Sequence, residues 1–280
     1  MTATLRPLEP PLNRLAAASE HFRAKLLTEP DAEPGWLSTA ELAAEGAPHL
    51  AEVFWRVTTR YKTSDQQAPA ALWFGRYAFA IAAAPIACYL AAQRVPALGL
   101  SDVWIRFEDD GDIGGLAWRS RSFAALADDP EAGHPDCRVV SSRDALRDHL
   151  RDQLIAHFTP MIEAVRARSA MGKAGLWALA ADYAANAFTW VARLWGDEAG
   201  GAAEARLFSA SASPLRRQRD FICVNHCGLS YYLLDRVSCC LYYKVEGGKY
   251  CSSCPHRAPQ ERVDLIKGWL EKQAAGVMQT

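Results

Sequence analysis

Ser238-Cys239-Cys240-Leu241-Tyr242-Tyr243, followed by Tyr250-Cys251-Ser252-Ser253-Cys254-Pro255, sets four cysteines in a C-C-x10-C-x2-C pattern near the end of the chain. Four thiols in so short a stretch read first as a metal-ligand set, and Cys-x2-Cys is a chelating corner of zinc and iron–sulfur sites alike. Residues 241–245 have strand-like composition. Glu246-Gly247-Gly248-Lys249 reads as a turn, because glycine accepts the positive φ of tight reversals. The turn is expected to fold Cys251 and Cys254 back toward Cys239 and Cys240.

The adjacent pair adds information. Neighbouring α-carbons lie about 3.8 Å apart, whereas a disulfide prefers about 5.5–6 Å. A Cys239–Cys240 bridge would therefore be strained, and on an extended backbone the two side chains diverge. One tetrahedral zinc usually draws on spaced knuckles. A two-iron cluster accepts a wider set of ligand directions, so the spacing favours iron–sulfur and leaves zinc and free redox thiols as alternatives.

Outward from this cluster, the chain has 280 residues, half of them hydrophobic, and a formal net charge of -1, which makes no case for nucleic acid. Residues 1–22 contain Pro7, Pro10 and Pro11 and no continuous apolar run, so no secretory signal is expected. Eight cysteines without such a signal suit a reducing, cytoplasmic setting with metal or redox work rather than a disulfide framework.

The first two-thirds reads as mostly helical. A helix is expected from Ser38-Thr39 to about Arg60. The uncharged stretch 77–92, flanked by Arg76 and Arg94, is too short for the roughly 20 residues of a membrane span. It reads as part of a buried core helix, residues 72–90, bent or divided at Pro85, with membrane contact the lesser alternative. Residues 103–107 and 113–118 form a hairpin about Asp110-Gly111. Its acidic tip lacks the full spacing of a calcium loop. Leu146, Leu150, Leu154 and Phe158 share one helix face, and Thr159-Pro160 suggests a new helix start. His149 and His157 read as surface or satisfied interior histidines. A further helix covers residues 176–195, after a turn marked by Gly172 and Gly175. Residues 196–201 look like a flexible break and the best candidate for a domain boundary. The expected class is therefore α+β, a mostly helical main domain with a β-hairpin (1–205) and a small C-terminal module (206–280).

The cysteine motif, with Gly247-Gly248-Lys249 inside it, resembles the C-terminal signature of the FhuF-type ferric-siderophore reductases. His157-Phe158-Thr159-Pro160-Met161-Ile162 and Leu176-Trp177-Ala178-Leu179-Ala180-Ala181-Asp182 extend the likeness more weakly. The resemblance implies a 2Fe-2S cluster on Cys239, Cys240, Cys251 and Cys254, in an oxidoreductase that reduces ferric siderophores, of hydroxamate type, and releases ferrous iron. The family often has two basic residues before the cysteine pair; here Arg236 is present and Val237 replaces the second. Ser238, Ser252 and Ser253 could hydrogen-bond the sulfurs. Tyr242, Tyr243 and Tyr250 read as hairpin packing or as cover for the cluster.

No G-x-G-x-x-G nucleotide fingerprint is evident, so the electrons are expected from an external donor such as a ferredoxin. Arg216, Arg217, Arg219, Arg236, Lys244, Lys249 and Arg257 surround the cysteines in sequence. They form either a docking face for an acidic partner or a solvated basic face offsetting the cluster charge. Cys223, His226 and Cys227 are a secondary thiol-imidazole group, read mainly as incidental, and His256 flanks the module. Cys88 and Cys137 are isolated. A zinc-stabilised, non-catalytic binding module is the competing reading, a siderophore-assembly protein a third. Peripheral contact with the inner membrane is left open.

Overall fold

A nearly uncharged, alanine-rich stretch supplies the centre of the fold. The computed structural model describes residues 6–19, 24–26, 35–46, 48–217 and 219–276, so parts of the N-terminal segment (1–5 and 20–23) lie outside the described residues. Helix α1 (Glu9–Ala18), strands β1 (Ala24–Leu26) and β2 (Trp36–Ser38), and helices α2 (Thr39–Ala43) and α3 (Pro48–Tyr61) lead into the long helix α4 (Ala68–Ala92). Strands β3 (Arg94–Pro96), β4 (Val103–Phe107), β5 (Ile113–Trp118), β6 (Phe123–Leu126) and β7 (Cys137–Val140) follow. Helices α5 (Arg143–Ala167), α6 (Lys173–Leu194) and α7 (Glu198–Ala210) come next. A hairpin of β8 (Phe221–His226) and β9 (Leu229–Leu234), a 3-10 turn (Tyr242–Lys244) and helix α8 (Pro259–Ala274) end the order. The α+β class holds.

Helix α4 is buried along nearly its whole length. By length and composition it is apolar enough to cross a membrane, yet 89% of its most apolar window is buried inside the protein. It is a core helix. Pro85 costs one rung of the hydrogen-bond ladder but does not divide it. Alanines on α4 and α6 let the two backbones pack closely, and Gly75 makes room for a ring: a Cβ there would sit 2.5 Å from the Tyr183 side chain.

The sheets clad this core. Strands β1-β5-β4-β2 form one sheet and β3-β6-β7 another. The expected hairpin is β4–β5, turning at Gly111 with φ +83. Its acidic tip is held by arginines of α3 and α4. Arg60 lies 2.8 Å from Asp110 and 3.1 Å from Asp112, and Arg76 lies 2.7 Å from Asp112.

Four local expectations fail for physical reasons. The helix expected from residue 38 to 60 is two, because Ser38 closes a capping box on α2, which ends at Ala43, and Pro48 starts α3. Thr159-Pro160 opens no new helix. Pro160 lies inside α5, and Thr159 bonds the Ile155 carbonyl at 2.7 Å as a helical threonine does. Gly175 lies within α6 rather than in a turn. Residues 196–201 are not a flexible break: Asp197 caps α7, and a Cβ on Gly201 would sit 2.6 Å from the Phe188 carbonyl of α6. Helix α7 runs unbroken across residues 205 and 206.

His157 is the satisfied interior histidine. Its Nδ1 is 2.7 Å from the Leu98 carbonyl and its Nε2 2.6 Å from the Tyr77 hydroxyl. A carbonyl only accepts, so Nδ1 carries the proton and Tyr77 donates to Nε2. Burial holds the ring neutral, with its pKa pulled from 6.5 to about 4. The unfolded chain binds this proton near pH 6.5 and the folded one only near 4, so the stabilisation is whole above 6.5. It is lost as pH falls toward 4, by up to about 3 kcal/mol. Thermal melts across pH 7 to 4 should show a steep fall for the native chain. His157→Gln should start lower and fall less over the same range.

Candidate metal centre

Strand β9 delivers the chain to a buried acid. Asp182, on α6 and fully buried, accepts from the Val237 amide at 3.0 Å, the Ser238 amide at 2.8 Å and the Ser238 hydroxyl at 2.7 Å. Its other oxygen takes the Arg217 guanidinium at 2.9 Å, on a side chain only 4% exposed. One carboxylate thus fixes the two residues before Cys239. The same guanidinium donates to the Asp235 carbonyl at 2.9 Å, and Arg262 of α8 bonds the Asp235 carboxylate at 2.6 Å.

After the cysteine pair, Leu241 turns the chain with a left-handed φ of 59, and its amide lies 3.4 Å from the Cys239 sulfur. The expected strand over residues 241–245 is instead the 3-10 turn; the left-handed residue before it prevents an extended run. Gly247 makes the expected reversal at φ +69, and a Cβ on Gly248 would collide with the Tyr242 carbonyl. The loop is tied to the α3–α4 junction. The Glu246 amide bonds the Tyr61 carbonyl at 3.2 Å, Thr63 bonds the Lys244 carbonyl at 3.1 Å, and Lys244 meets Asp65 at 2.8 Å. On the second arm, Arg257 donates to the Cys251 carbonyl at 3.1 Å and the Tyr250 carbonyl at 2.8 Å.

The turn brings the four thiols within electrostatic reach of one another, Cys240 with Cys251 and Cys254 with both Cys239 and Cys251. The Cys240 thiol is pushed well up, first because it donates to Cys251; the same bond draws Cys251 down into the thiolate range. Burial first of all raises Cys254. Among the described residues no three His, Cys, Asp or Glu groups close on a single ion.

A buried cation accompanies them. Arg236 is 7% exposed and lies 4.8 Å over the Tyr183 ring. Its Nε is buried without a hydrogen-bond partner, and the side chain is within electrostatic reach of Cys240 and Cys251. An unpaired buried N–H is costly, and an anionic group at the thiols would offset that cost. The donor set therefore fits a thiolate-bound iron–sulfur cluster. Tyr243, Tyr250 and His256 stack beside the loop, with centroids 5.0 to 5.6 Å apart.

The basic residues around the module do not form one docking face. Arg217 and Arg236 are buried structural cations, Lys244 and Arg257 are tied down as above, and Arg219 pairs with Asp235 at 3.5 Å. Arg216 and Lys249 are exposed. Cys223 and Cys227 are exposed, Cys223 on β8 and Cys227 in the tight turn after it, while His226 pairs with Glu271 at 2.7 Å. Cys88 is a core residue and Cys137 lies on β7. Asp182, the anchor of the site, was legible only as a lone acid in the apolar run Leu179-Ala180-Ala181-Asp182-Tyr183-Ala184; buried charges are rarely without a partner.

A helical body carrying a cysteine-held redox module defines the class. The chain belongs to the FhuF-like ferric iron reductase family: residues 71–224, more than half of it, match the model described as ferric iron reductase FhuF-like transporter. Residues 236–256 match the FhuF 2Fe-2S C-terminal domain, so the cofactor is a 2Fe-2S cluster and the zinc alternative is set aside. No curated protein matches the chain. Among solved structures it is similar to ATP-bound aerobactin synthetase IucA from a hypervirulent pathotype of Klebsiella pneumoniae, at 14% identity and a TM-score of 0.47. That alignment covers 68% of this chain and 42% of the synthetase.

Asp182→Ala should leave Arg217 buried without its counter-charge and free the 237–238 backbone. The expected cost is about 3–5 kcal/mol, read by urea unfolding, with a fall in iron bound per chain. Asp182→Asn, which keeps the shape and one acceptor, should cost less and retain more iron.

Proposed function

We propose that the chain is a ferric-siderophore reductase that delivers one electron to ferric iron held by the chelator. Cys239, Cys240, Cys251 and Cys254 would hold the cluster. The observation that carries this reading is the four-cysteine loop, matched to the 2Fe-2S C-terminal domain, with Cys240 and Cys251 within electrostatic reach of the buried Arg236. When bound, a 2Fe-2S cluster supplies single-electron chemistry. Fe(III) becomes Fe(II), no bond within the chelator breaks, and the electron is replaced by an external one-electron donor such as a ferredoxin.

The chain's own residues serve this by holding and shielding the site. Asp182 and Arg257 fix the two arms, and the Leu241 amide bonds a sulfur. Arg236 places a fixed positive charge where negative charge accumulates on reduction, which favours the reduced state. Hydroxamate chelators suit the reaction: their hard oxygen donors hold ferric iron more tightly than ferrous, so reduction alone frees the metal. The cytoplasm is the proposed location, with the helical body through α7 as the chelate-binding part and the segment after it as the cluster module. Contact with the inner membrane would be peripheral, since the apolar helix α4 is occupied in the core.

Protein purified without oxygen should be red-brown and contain iron and acid-labile sulfide. Cys240→Ser should lose the charge-transfer absorption. Reduced protein mixed with a panel of ferric siderophores should reoxidise and release ferrous iron to a colorimetric chelator, fastest with hydroxamates. A colourless protein carrying stoichiometric zinc would sink the reading.

A further inference from the structure

A cleft of about 570 Å³ opens between α4, the β4–β5 hairpin and α6, within the range of pockets for drug-sized ligands. Its apolar wall includes Phe79 and Trp190, in edge contact at 5.2 Å. Its other wall is charged. Glu108, Asp110 and Asp112 face it against the single lining cation Arg76, with Arg60 behind the hairpin tip.

One residue joins this cleft to the cysteines. Tyr183 lines the cleft and is overlain by Arg236 at 4.8 Å. It also lies within electrostatic reach of Cys240 and Cys251. The absence of a side chain at Gly75 lets the ring lie there, on the α4 side of the cleft floor. A second connection runs from Arg76 through the Tyr61 hydroxyl, at 2.8 Å, to the Tyr61 ring, which meets Tyr242 of the cysteine loop edge-on at 6.1 Å.

We infer that this cleft is where the ferric chelate docks, and that Tyr183 is the positioning residue that seats it against the cluster module. The wall chemistry sets the class of ligand: a neutral or positively charged chelate with apolar spacer chains, and not a multiply anionic one. Arg60 and Arg76 offset part of the charge of the three carboxylates, and the negative charge that is left disfavours a tris-catecholate trianion, while the aromatic wall accepts the methylene spacers of a linear trihydroxamate. The inference rests on the reductase reading and adds to it the place of binding and the charge selection.

The test separates binding from reduction. Gallium(III) replaces ferric iron in size and charge and resists one-electron reduction. Two probes, titrated calorimetrically into the full chain carrying its cluster, suffice: the gallium complex of a linear trihydroxamate bearing a free ammonium, and the gallium tris-catecholate. The trihydroxamate should bind saturably and at least tenfold more tightly than the tris-catecholate. Trp190→Ala and Tyr183→Leu should each weaken it at least tenfold. Glu108→Lys, on the exposed hairpin tip, should weaken it and narrow the gap between the probes. Tyr183→Leu also touches Arg236, so iron content and circular dichroism are compared with Trp190→Ala and Glu108→Lys, which lie off the cysteine loop. Equal affinity for the two probes, or native affinity in Trp190→Ala and Glu108→Lys, would overturn the assignment. Reduction of ferric chelates that ignores all three substitutions sinks the cleft and leaves the reductase reading intact. Cleft-dependent gallium binding, with no ferric chelate reduced, does the reverse.

Discussion

The Asp182 carboxylate is the interaction on which the site depends. It is fully buried, and a buried charge is tolerated only when partnered and hydrogen-bonded. Its partners are unusual in what they join: a guanidinium from the segment after α7 on one oxygen, and the backbone entering the cysteine motif on the other. The energy that keeps a carboxylate in the core is thereby spent on fixing the residues that precede Cys239. A hydrophobic residue at 182 would pack in α6 but would leave the 237–238 amides without acceptors.

A second charge balance follows from the first. Asp182 is bonded to Arg217, and among the described residues no carboxylate forms a salt bridge with Arg236. It lies on the Tyr183 face, and its Nε has no partner. Its neighbours with negative potential are Asp182 and the thiols of Cys240 and Cys251. A single arginine thus couples the helical body to the redox module, and it does so without a salt bridge that would cancel its charge. This also explains why a count of basic residues around the cysteines misled: several are locked into the fold, and the surface face they were expected to make is thin.

The cysteine motif was legible because its information is local. The spacing, the Gly-Gly reversal and the geometric objection to a vicinal disulfide sit within residues 238–255, and together they foresaw two arms meeting. The core face of α5 and the β4–β5 hairpin were legible for the same reason, since periodicity and Asp110-Gly111 are short-range signals. What was not legible depends on partners far along the chain. Pro160 looks like a helix start until the packing of Phe158, Met161 and Ile162 carries α5 through it. Residues 196–201 look flexible until Gly201 is seen pressed on α6. The strand-like composition of residues 241–245 loses to the left-handed Leu241, whose amide lies 3.4 Å from the Cys239 sulfur.

The same long-range logic bears on how the module relates to the body. The cysteine loop takes Asp182 from α6, Tyr61, Thr63 and Asp65 from the α3–α4 junction, and Arg262 from α8. Its apolar anchor Val245 packs with Ala68 and Leu72 at the start of α4. Helix α8 and the β8–β9 hairpin share a small separate core of Val224, Leu233, Ile266 and Leu270. Asp182, which holds the residues before Cys239, and Tyr183, which lines the cleft, are adjacent on α6, so one helix serves both the cysteine loop and the cleft.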